Sequence, residues 1–395
     1  MKFYHKFKTN VHKMSKRTPS LLLVGNYPNR TGYAWNNIYR LFNVITIEMD
    51  KLGVPVCLSF SEIVSPIDFI EPDLLCEPFK FDINNITTSS LYNLVKSIKQ
   101  RNIKYVYFTD QPAFYWLYMF LRCIGVRKIL THSRVSVANP YPPPPEKGLR
   151  RAAKSFISRI QLWTPNRIYA VSNFVRNRLI NNNCMPEDKV VVIMNGINLD
   201  NFKCDNSSNK RKTISVFTGA RANKYKGILT LIHAADLLIN FHHVKNFRIE
   251  YAGDGPDIEF FRTTVKELSL ENHFIFLGHL GSTKDAICNS DIVVVPSNWG
   301  DACPSSVSEG LASGKPLITT TAGGIPEMVG NGQNAILIPP SDAEALATEL
   351  KKLIASPEER ESLGARGRAR AIDALDERKY YRSMIMQLTQ DLELR

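Results

Sequence analysis

The sequence lacks the long apolar stretches and paired cysteines that mark several protein classes. Its longest unbroken apolar run, residues 113–121, is about half as long as a membrane-spanning helix needs to be. The apolar segment at residues 21–24 is too short for the core of a secretory signal. The seven cysteines are dispersed and never spaced as CxxC. These absences predict a cytoplasmic protein with reduced thiols.

Three missing motifs narrow the chemistry further. The loop after the first predicted strand holds Gly25 and Gly32 but no GxGxxG pattern, which disfavours a dehydrogenase. The chain has no Asp-x-Asp and no His/Cys cluster with metal spacing, so neither a metal nor a cofactor is expected. No nucleic-acid motif accompanies the basic charge, so nucleic acid is not an expected partner.

Positive charge is concentrated in the first half of the chain. Residues 1–200 hold 27 Lys+Arg and 13 Asp+Glu, whereas the second half is close to balance. A basic tail at residues 1–18 supplies less than half of this excess and has a simpler explanation as an aid to solubility. The remaining excess of positive charge predicts an anionic partner, such as a membrane surface or a phosphorylated substrate.

Short apolar runs rich in β-branched residues alternate with helix-length segments, which is typical of parallel strands in α/β layers. The runs predict six strands in each half: 21–25, 55–60, 104–109, 128–132, 167–171 and 190–194, then 213–218, 248–252, 273–277, 292–296, 316–320 and 335–338. We therefore predict an α/β protein with two Rossmann-like doubly wound domains that face each other across a cleft.

The predicted domain limits follow from the breaks in this pattern. After the tail, the first domain covers 19–203, a polar linker covers 204–212, the second domain covers 213–370, and a C-terminal helical segment covers 371–395. Three helices are predicted at 343–355, 357–368 and 371–392. Ligands of open parallel sheets bind beyond the carboxyl ends of the strands, so residues just after strands are the candidates for a site.

Two cations follow the first strand of the second half. Arg221 and Lys226 flank a turn that opens a helix, where free N–H groups already favour anions. A guanidinium and an ammonium there could clamp a diphosphate. A solvated basic loop is the alternative interpretation.

An acidic pair lies after a later strand. Asp301 is placed in the loop and Glu309 on the helix that follows, so that both can face one crevice. Carboxylates bind vicinal hydroxyls well, which suits a ribose and a hexose on one ligand. Between them, the backbone N–H groups of Ser305 and Ser306 could hold a phosphate.

Two features of the first half have both a structural and a functional interpretation. His132 ends a predicted strand and is expected to point into the cleft, although strand-end histidines are more often structural. Residues 147–163 alternate cations with apolar residues, which is typical of an amphipathic helix on anionic lipid and also of an ordinary helix with a wet basic face.

With these residues in view, the chain resembles the retaining nucleotide-sugar glycosyltransferases of glycosyltransferase family 4, which have the GT-B fold. The resemblance is strongest over residues 166–340. The motifs that carry it, in order, are Tyr169-Ala-Val-Ser172, Asn195-Gly-Ile-Asn-Leu-Asp-Asn-Phe202, Arg221-x4-Lys226-Gly227, Ala252-Gly-Asp-Gly-Pro256, Phe276-Leu-Gly-His279, Asp291-Ile-Val-Val-Val-Pro-Ser297, Asp301-x7-Glu309 and Gly323-Gly-Ile-Pro-Glu327.

The resemblance implies a role for each matching position. Arg221, Lys226 and Gly32 would bind the donor diphosphate, Glu309 the ribose, and the backbone near His279 the base. The loop Cys303, Pro304, Ser305 and Ser306 would meet the donor sugar and phosphate. Asp301, where the family commonly has Glu, would bind the transferred sugar, and His132 would position the sugar or the acceptor. The last helix would cross back to the first domain.

The implied function is metal-independent hexosyl transfer, with retention, from a UDP- or GDP-linked sugar to a glycan or glycolipid acceptor. This would serve polysaccharide or lipopolysaccharide biosynthesis in the cytoplasm, with the protein peripheral at the inner face of the membrane. The alternatives are a catalytically inert GT-B module that binds nucleotide-sugars and a sugar-nucleotide epimerase.

Overall fold

The computed structural model of the chain describes residues 18–29, 34–64, 67, 70, 74, 78–134, 148–204 and 213–394, without the side chains of 34–36. The tail at 1–17, Gly32 and the linker residues 205–212 lie outside the described residues.

The first lobe is built on a parallel sheet of seven strands, in the order β3-β2-β1-β4-β5-β6-β7. Apart from its two edge strands, the sheet is almost wholly buried, as the apolar and β-branched residues of its strands predict. The strands are β1 (Ser20–Gly25), β2 (Val56–Phe60), β3 (Phe79–Lys80), β4 (Ile103–Thr109), β5 (Lys128–Ser133), β6 (Arg167–Ala170) and β7 (Val190–Val192). The helices are α1 (Ala34–Lys51), α2 (Thr88–Gln100), α3 (Trp116–Cys123), α4 (Gly148–Arg159) and α5 (Asn173–Asn181).

The second lobe repeats this arrangement with six parallel strands, in the order β10-β9-β8-β11-β12-β13. They are β8 (Ile214–Gly219), β9 (Phe247–Ala252), β10 (Phe274–Gly278), β11 (Ile292–Val295), β12 (Leu317–Thr320) and β13 (Ile336–Ile338). The helices are α6 (Ile228–Asn240), α7 (Ile258–Glu267), α8 (Lys284–Cys288), α9 (Ser305–Ser313), α10 (Ile325–Met328), α11 (Ala343–Ala355), α12 (Pro357–Ala374) and α13 (Glu377–Asp391).

The predicted fold class is confirmed, with two corrections of detail. The first sheet has seven strands rather than six, because the two-residue strand β3 adds to its edge beside β2. The helix predicted to end at residue 368 continues to Ala374, so the last helix begins at Glu377 rather than at residue 371. In the described ranges, no helix has both the length and the apolar character needed to cross a bilayer.

The last helix, α13, packs on the first lobe. Met384, Leu388 and Leu392 are buried in the same apolar cluster as β1 and α1. The carboxylate of Asp391 accepts hydrogen bonds from Arg167 and from the hydroxyl of Tyr169, both at 2.9 Å. The chain therefore returns to the sheet from which it started.

One cysteine pair differs from the prediction of reduced thiols. Cys204 and Cys288 form a disulfide that joins the end of the first half to the end of α8. The sequence did not indicate this pair, because the two residues are 84 positions apart and only the fold brings them together. Cys57, Cys123, Cys184 and Cys303 are not part of a disulfide.

Candidate active site

In both lobes the strand order reverses at one point of the sheet, between β1 and β4 and between β8 and β11. Such switch points are the usual ligand sites of open α/β sheets, because the loops on either side leave a crevice. The loops after β8 and β11 carry the predicted residues of the second half. The fold thus brings Lys226 and Asp301 to the same edge.

Lys226 and Asp301 are in direct contact. The Lys226 Nζ atom lies 2.9 Å from Oδ1 and 2.8 Å from Oδ2 of Asp301. The hydroxyl of Ser297 donates a further hydrogen bond to Oδ2 at 2.8 Å. The side chain of Asp301 is 8% exposed, whereas that of Lys226 is 26% exposed. The structure therefore pairs two residues for which the sequence predicted separate roles.

Backbone geometry at Gly227 sets the position of Lys226. Gly227 has a φ of 75° and caps the turn Lys224–Lys226 just before α6. A Cβ atom there would lie 1.7 Å from the carbonyl oxygen of Pro296, at the end of β11. Only glycine allows the two loops to approach this closely.

Glu309 lies on α9 and is 4% exposed. The hydroxyl of Thr283, just before α8, donates a hydrogen bond to its Oε2 atom at 2.8 Å. This contact orients the carboxylate from a second element of the lobe. Thr283 was not predicted as a site residue, since a single threonine in a loop gives no signal in the sequence.

A cavity of about 160 Å³ lies between the two lobes. It combines residues of α1 and of the segment after β7 with residues around α8 and α9. Its walls are Asn37, Arg40, Asn195, Gly196, Ile197, Asn198, Asn201, Phe202, Ser282, Lys284, Cys303, Ser305, Ser308 and Glu309. The predicted residues Glu309, Cys303 and Ser305 meet here, together with polar groups of the first lobe.

The start of α9 forms one wall of this cavity. Pro304 is the N-cap residue and provides no side-chain cap, so the first N–H groups of the helix are left to other partners. Ser305 is exposed and Ser306 is half-buried. Burial raises the pKa of the Cys303 thiol to about 12, with a backbone hydrogen bond to Asn195 opposing it and Glu327 adding to it. This thiol is therefore protonated at neutral pH.

The cavity walls do not include Lys226, Asp301, Arg221 or His279. Arg221 and His279 are exposed and follow the carboxyl ends of β8 and β10. The backbone beside Arg221 is fixed, because Ala222 is fully buried and its N–H donates to the Asp254 carbonyl at 2.9 Å. The Arg221 side chain is exposed, so its guanidinium can meet a ligand.

His132 does not point into the cleft as expected. It is fully buried, and its ring lies against Tyr107 and Tyr169. Its Nδ1 atom is 2.7 Å from the Tyr107 hydroxyl, while Nε2 has no partner among the described residues. Burial first, and the charge of Arg134 second, hold the pKa of His132 well below its usual range. The side chain is a neutral imidazole inside the first lobe.

Beside it, the ends of β4 and β5 carry an ion pair that the sequence reasoning missed. Arg134 Nη2 lies 3.1 Å from Asp110 Oδ2, and the Arg134 backbone N–H donates to Oδ1 at 2.8 Å. Asp110 has a φ of 53°. Asp110 directly follows one predicted strand and Arg134 lies two positions after the next, so the rule that selected His132 could also have found them.

The glycine pair at 323–324 serves contacts inside the protein. A Cβ on Gly323 would lie 2.2 Å from the carbonyl oxygen of Asp301, and the Gly324 N–H donates to that oxygen at 2.8 Å. These glycines let the loop after β12 hold the loop of Asp301 in place.

Two facing doubly wound sheets with a cleft at their carboxyl ends define the GT-B class of proteins. Residues 71–201 match the family described as Glycosyltransferase Family 4, and residues 200–370 match the family described as Glycosyl transferases group 1. The chain belongs to the glycosyltransferases of GT-B fold, of the family 4 type.

Curated relatives are similar in sequence to part of this chain. An uncharacterized glycosyltransferase of Methanocaldococcus jannaschii is 30% identical over 183 residues, which are 43% of this chain and 46% of that protein. The capsular polysaccharide biosynthesis glycosyltransferase CapM of Staphylococcus aureus is 24% identical over 241 residues, 57% of this chain and 61% of that protein. The chain thus spans about half the length of the curated relatives it matches.

Solved structures share the fold over nearly the whole chain. A glycosyltransferase from Rickettsia africae has a TM-score of 0.75 at 21% identity, covering 95% of this chain and 99% of that one. HepE of Anabaena, in complex with UDP-glucose, has a TM-score of 0.73 at 16% identity, covering 94% and 99%. At these identities the likeness is one of fold.

Proposed function

We propose that this protein transfers a hexosyl group from a UDP- or GDP-linked sugar to a glycan or glycolipid acceptor, with retention of configuration and without a metal. The observation that carries the proposal is the cavity between the lobes, which combines the carboxylate of Glu309 and the start of α9 with polar groups of α1. The proposed domains are 19–203 for the acceptor and 213–370 for the donor.

The donor is proposed to bind along the second lobe. Glu309, oriented by Thr283, accepts hydrogen bonds from the ribose hydroxyls. The uncapped N–H groups at Ser305 and Ser306 bind phosphate oxygens, which the helix dipole also favours. Lys226 and Arg221 supply the positive charge, and the backbone near His279 meets the base.

The proposed reaction depends on stabilising the diphosphate as it leaves. Negative charge grows on the leaving group as the glycosidic bond breaks, and cations and N–H dipoles fixed nearby stabilise it. For retention, the acceptor hydroxyl attacks on the same face and passes its proton to the departing phosphate. Because His132 is fully buried against Tyr107 and Tyr169, we assign it a role in the packing of the first lobe rather than that of a general base.

The relatives support this substrate class. CapM is a glycosyltransferase of capsular polysaccharide biosynthesis, and HepE was solved with UDP-glucose. By analogy with these proteins, we propose a glycan acceptor and a nucleotide-sugar donor for this chain.

A donor panel tests the proposal. The purified protein is incubated with UDP-, GDP- and ADP-linked sugars, and release of nucleoside diphosphate is measured with and without a chelator. We expect chelator-resistant release from at least one donor. An epimerase would change the sugar and keep the nucleotide-sugar intact, and an inert module would bind a donor without releasing nucleoside diphosphate.

We also propose that α4 docks on an anionic membrane surface. Leu149 and Phe156 on this helix are 90% and 70% exposed. Arg150 and Arg159 are exposed beside them. Apolar side chains next to cations fit the boundary between anionic headgroups and acyl chains. We call these four residues the α4 patch.

Vesicle co-sedimentation tests the membrane proposal. Binding to phosphatidylglycerol vesicles should fall at high salt and be absent with phosphatidylcholine alone. Phe156→Ser should weaken binding, whereas Leu52→Ser, which removes an apolar side chain 48% exposed outside the patch, should not. Binding that depends on neither anionic lipid nor salt would contradict the proposal that α4 docks on an anionic membrane.

A further inference from the structure

Lys226 is predicted to bind the donor diphosphate and Asp301 the transferred sugar, yet the two side chains form an ion pair with each other. Two of the three ammonium protons of Lys226 can be directed at the carboxylate, with Nζ at 2.9 and 2.8 Å from its two oxygens. A donor that uses both residues in their proposed roles must therefore separate them.

The two partners differ in their freedom to move. The loop of Asp301 is held by the hydrogen bond of the Gly324 N–H to its carbonyl and by the close approach of Gly323. The Asp301 side chain is also the more buried of the two. Lys226 is about one-quarter exposed and ends in a flexible stem, so the ammonium is the group that can turn toward a ligand.

We propose that both residues exchange their partner when a donor binds, and that this charge exchange makes the site select an intact nucleotide-sugar over the free nucleoside diphosphate. The inference rests on the proposed function. The donor diphosphate takes the Lys226 ammonium, and the released Asp301 carboxylate accepts hydrogen bonds from hydroxyls of the transferred sugar.

The selectivity follows from the burial of Asp301. A nucleoside diphosphate alone takes away the cation of this buried carboxylate, leaves it the Ser297 hydroxyl and supplies no hexose hydroxyl in return. A buried charge without its counter-ion is costly. A nucleotide-sugar replaces the lost contact with its own hydroxyls. The product should consequently bind more weakly than the donor, which favours its release after transfer.

A double-mutant cycle tests the exchange. Affinities for UDP, GDP, ADP and their glucose conjugates are measured by calorimetry for the wild type, Asp301→Asn, Lys226→Met and the double variant. Asp301→Asn should bind the nucleoside diphosphate about tenfold tighter, within the usual range for coupled sites, and should lose its preference for the nucleotide-sugar. In the Lys226→Met background the same change should have little effect.

Two results would overturn the exchange while leaving the proposed function intact. One is no tightening in Asp301→Asn. The other is equal tightening with and without Lys226, because a carboxylate that merely repels the diphosphate acts independently of the lysine. If the wild type binds none of the six compounds, the proposed function fails and the exchange fails with it. Circular dichroism on each variant confirms that it is folded.

Discussion

The hydroxyl of Thr283 donates to the Oε2 atom of Glu309 at 2.8 Å and so joins the loop before α8 to the middle of α9. Both elements contribute walls to the cavity between the lobes. A carboxylate held from a second element loses little freedom when a ligand arrives, and such preorganisation strengthens binding.

Glu309→Gln should therefore remove most of the turnover. The amide keeps the size of the side chain but loses the charge that strengthens hydrogen bonds from hydroxyls, and we expect kcat/KM to fall about 10- to 100-fold. Thr283→Val should cause a smaller loss, since it disturbs only the orientation of the carboxylate. Nucleoside diphosphate release provides the measurement, and wild-type turnover in a folded Glu309→Gln protein would exclude this site.

Gly227→Ala should displace the loop of Lys226. The new Cβ would overlap the Pro296 carbonyl and would also strain a backbone with φ of 75°. Gly53→Ala is the matched control, because Gly53 has a φ of 69° with no atom within 4 Å of its Cβ position. The control should lose only the backbone strain, about 1 kcal/mol of unfolding free energy, and keep its activity. Equal stability losses in the two variants would show that the close approach is unimportant.

The buried His132 should make the stability of the protein fall in mild acid. Its pKa is lowered in the folded state, so between that pKa and about 6.5 the unfolded chain binds the extra proton. The unfolding free energy contributed by this group is therefore intact above about pH 6.5 and declines by up to about 1.4 kcal/mol per pH unit below it.

Urea unfolding between pH 5 and pH 7 measures this effect. His132→Gln, which cannot take up a proton, should show a shallower decline than the wild type over that interval. Identical pH dependence in the two proteins would mean that the histidine is not held neutral by burial.

Met384→Ala should destabilise the protein through the contact of α13 with the first lobe. Met384 is fully buried, whereas Met386 on the same helix is 56% exposed. We expect a loss of about 2–5 kcal/mol for Met384→Ala and less than about 0.5 kcal/mol for Met386→Ala. Denaturant titration compares them, and similar values would argue that α13 adds nothing to the core.

Much of the fold could be predicted because its signals are local. Buried parallel strands require apolar residues on both faces, and six of the seven strands in the first sheet and all six in the second appear as such runs. Strand β3 was missed because two residues, one of them Lys80, form no pattern. The pair Cys204–Cys288 was missed because its contact depends on the fold around it.

For the site, the amino-acid sequence alone determined which side chains follow strand ends, and so placed Lys226, Asp301 and Glu309 in loops and a helix start at one edge. Only the tertiary structure decided which of them touch. Lys226 and Asp301 are 75 positions apart and meet because β8 and β11 are neighbours in the sheet. Likewise, alternate residues of a strand point to opposite faces, and the packing of Tyr107 and Tyr169 around His132 assigned it to the interior rather than to the cleft.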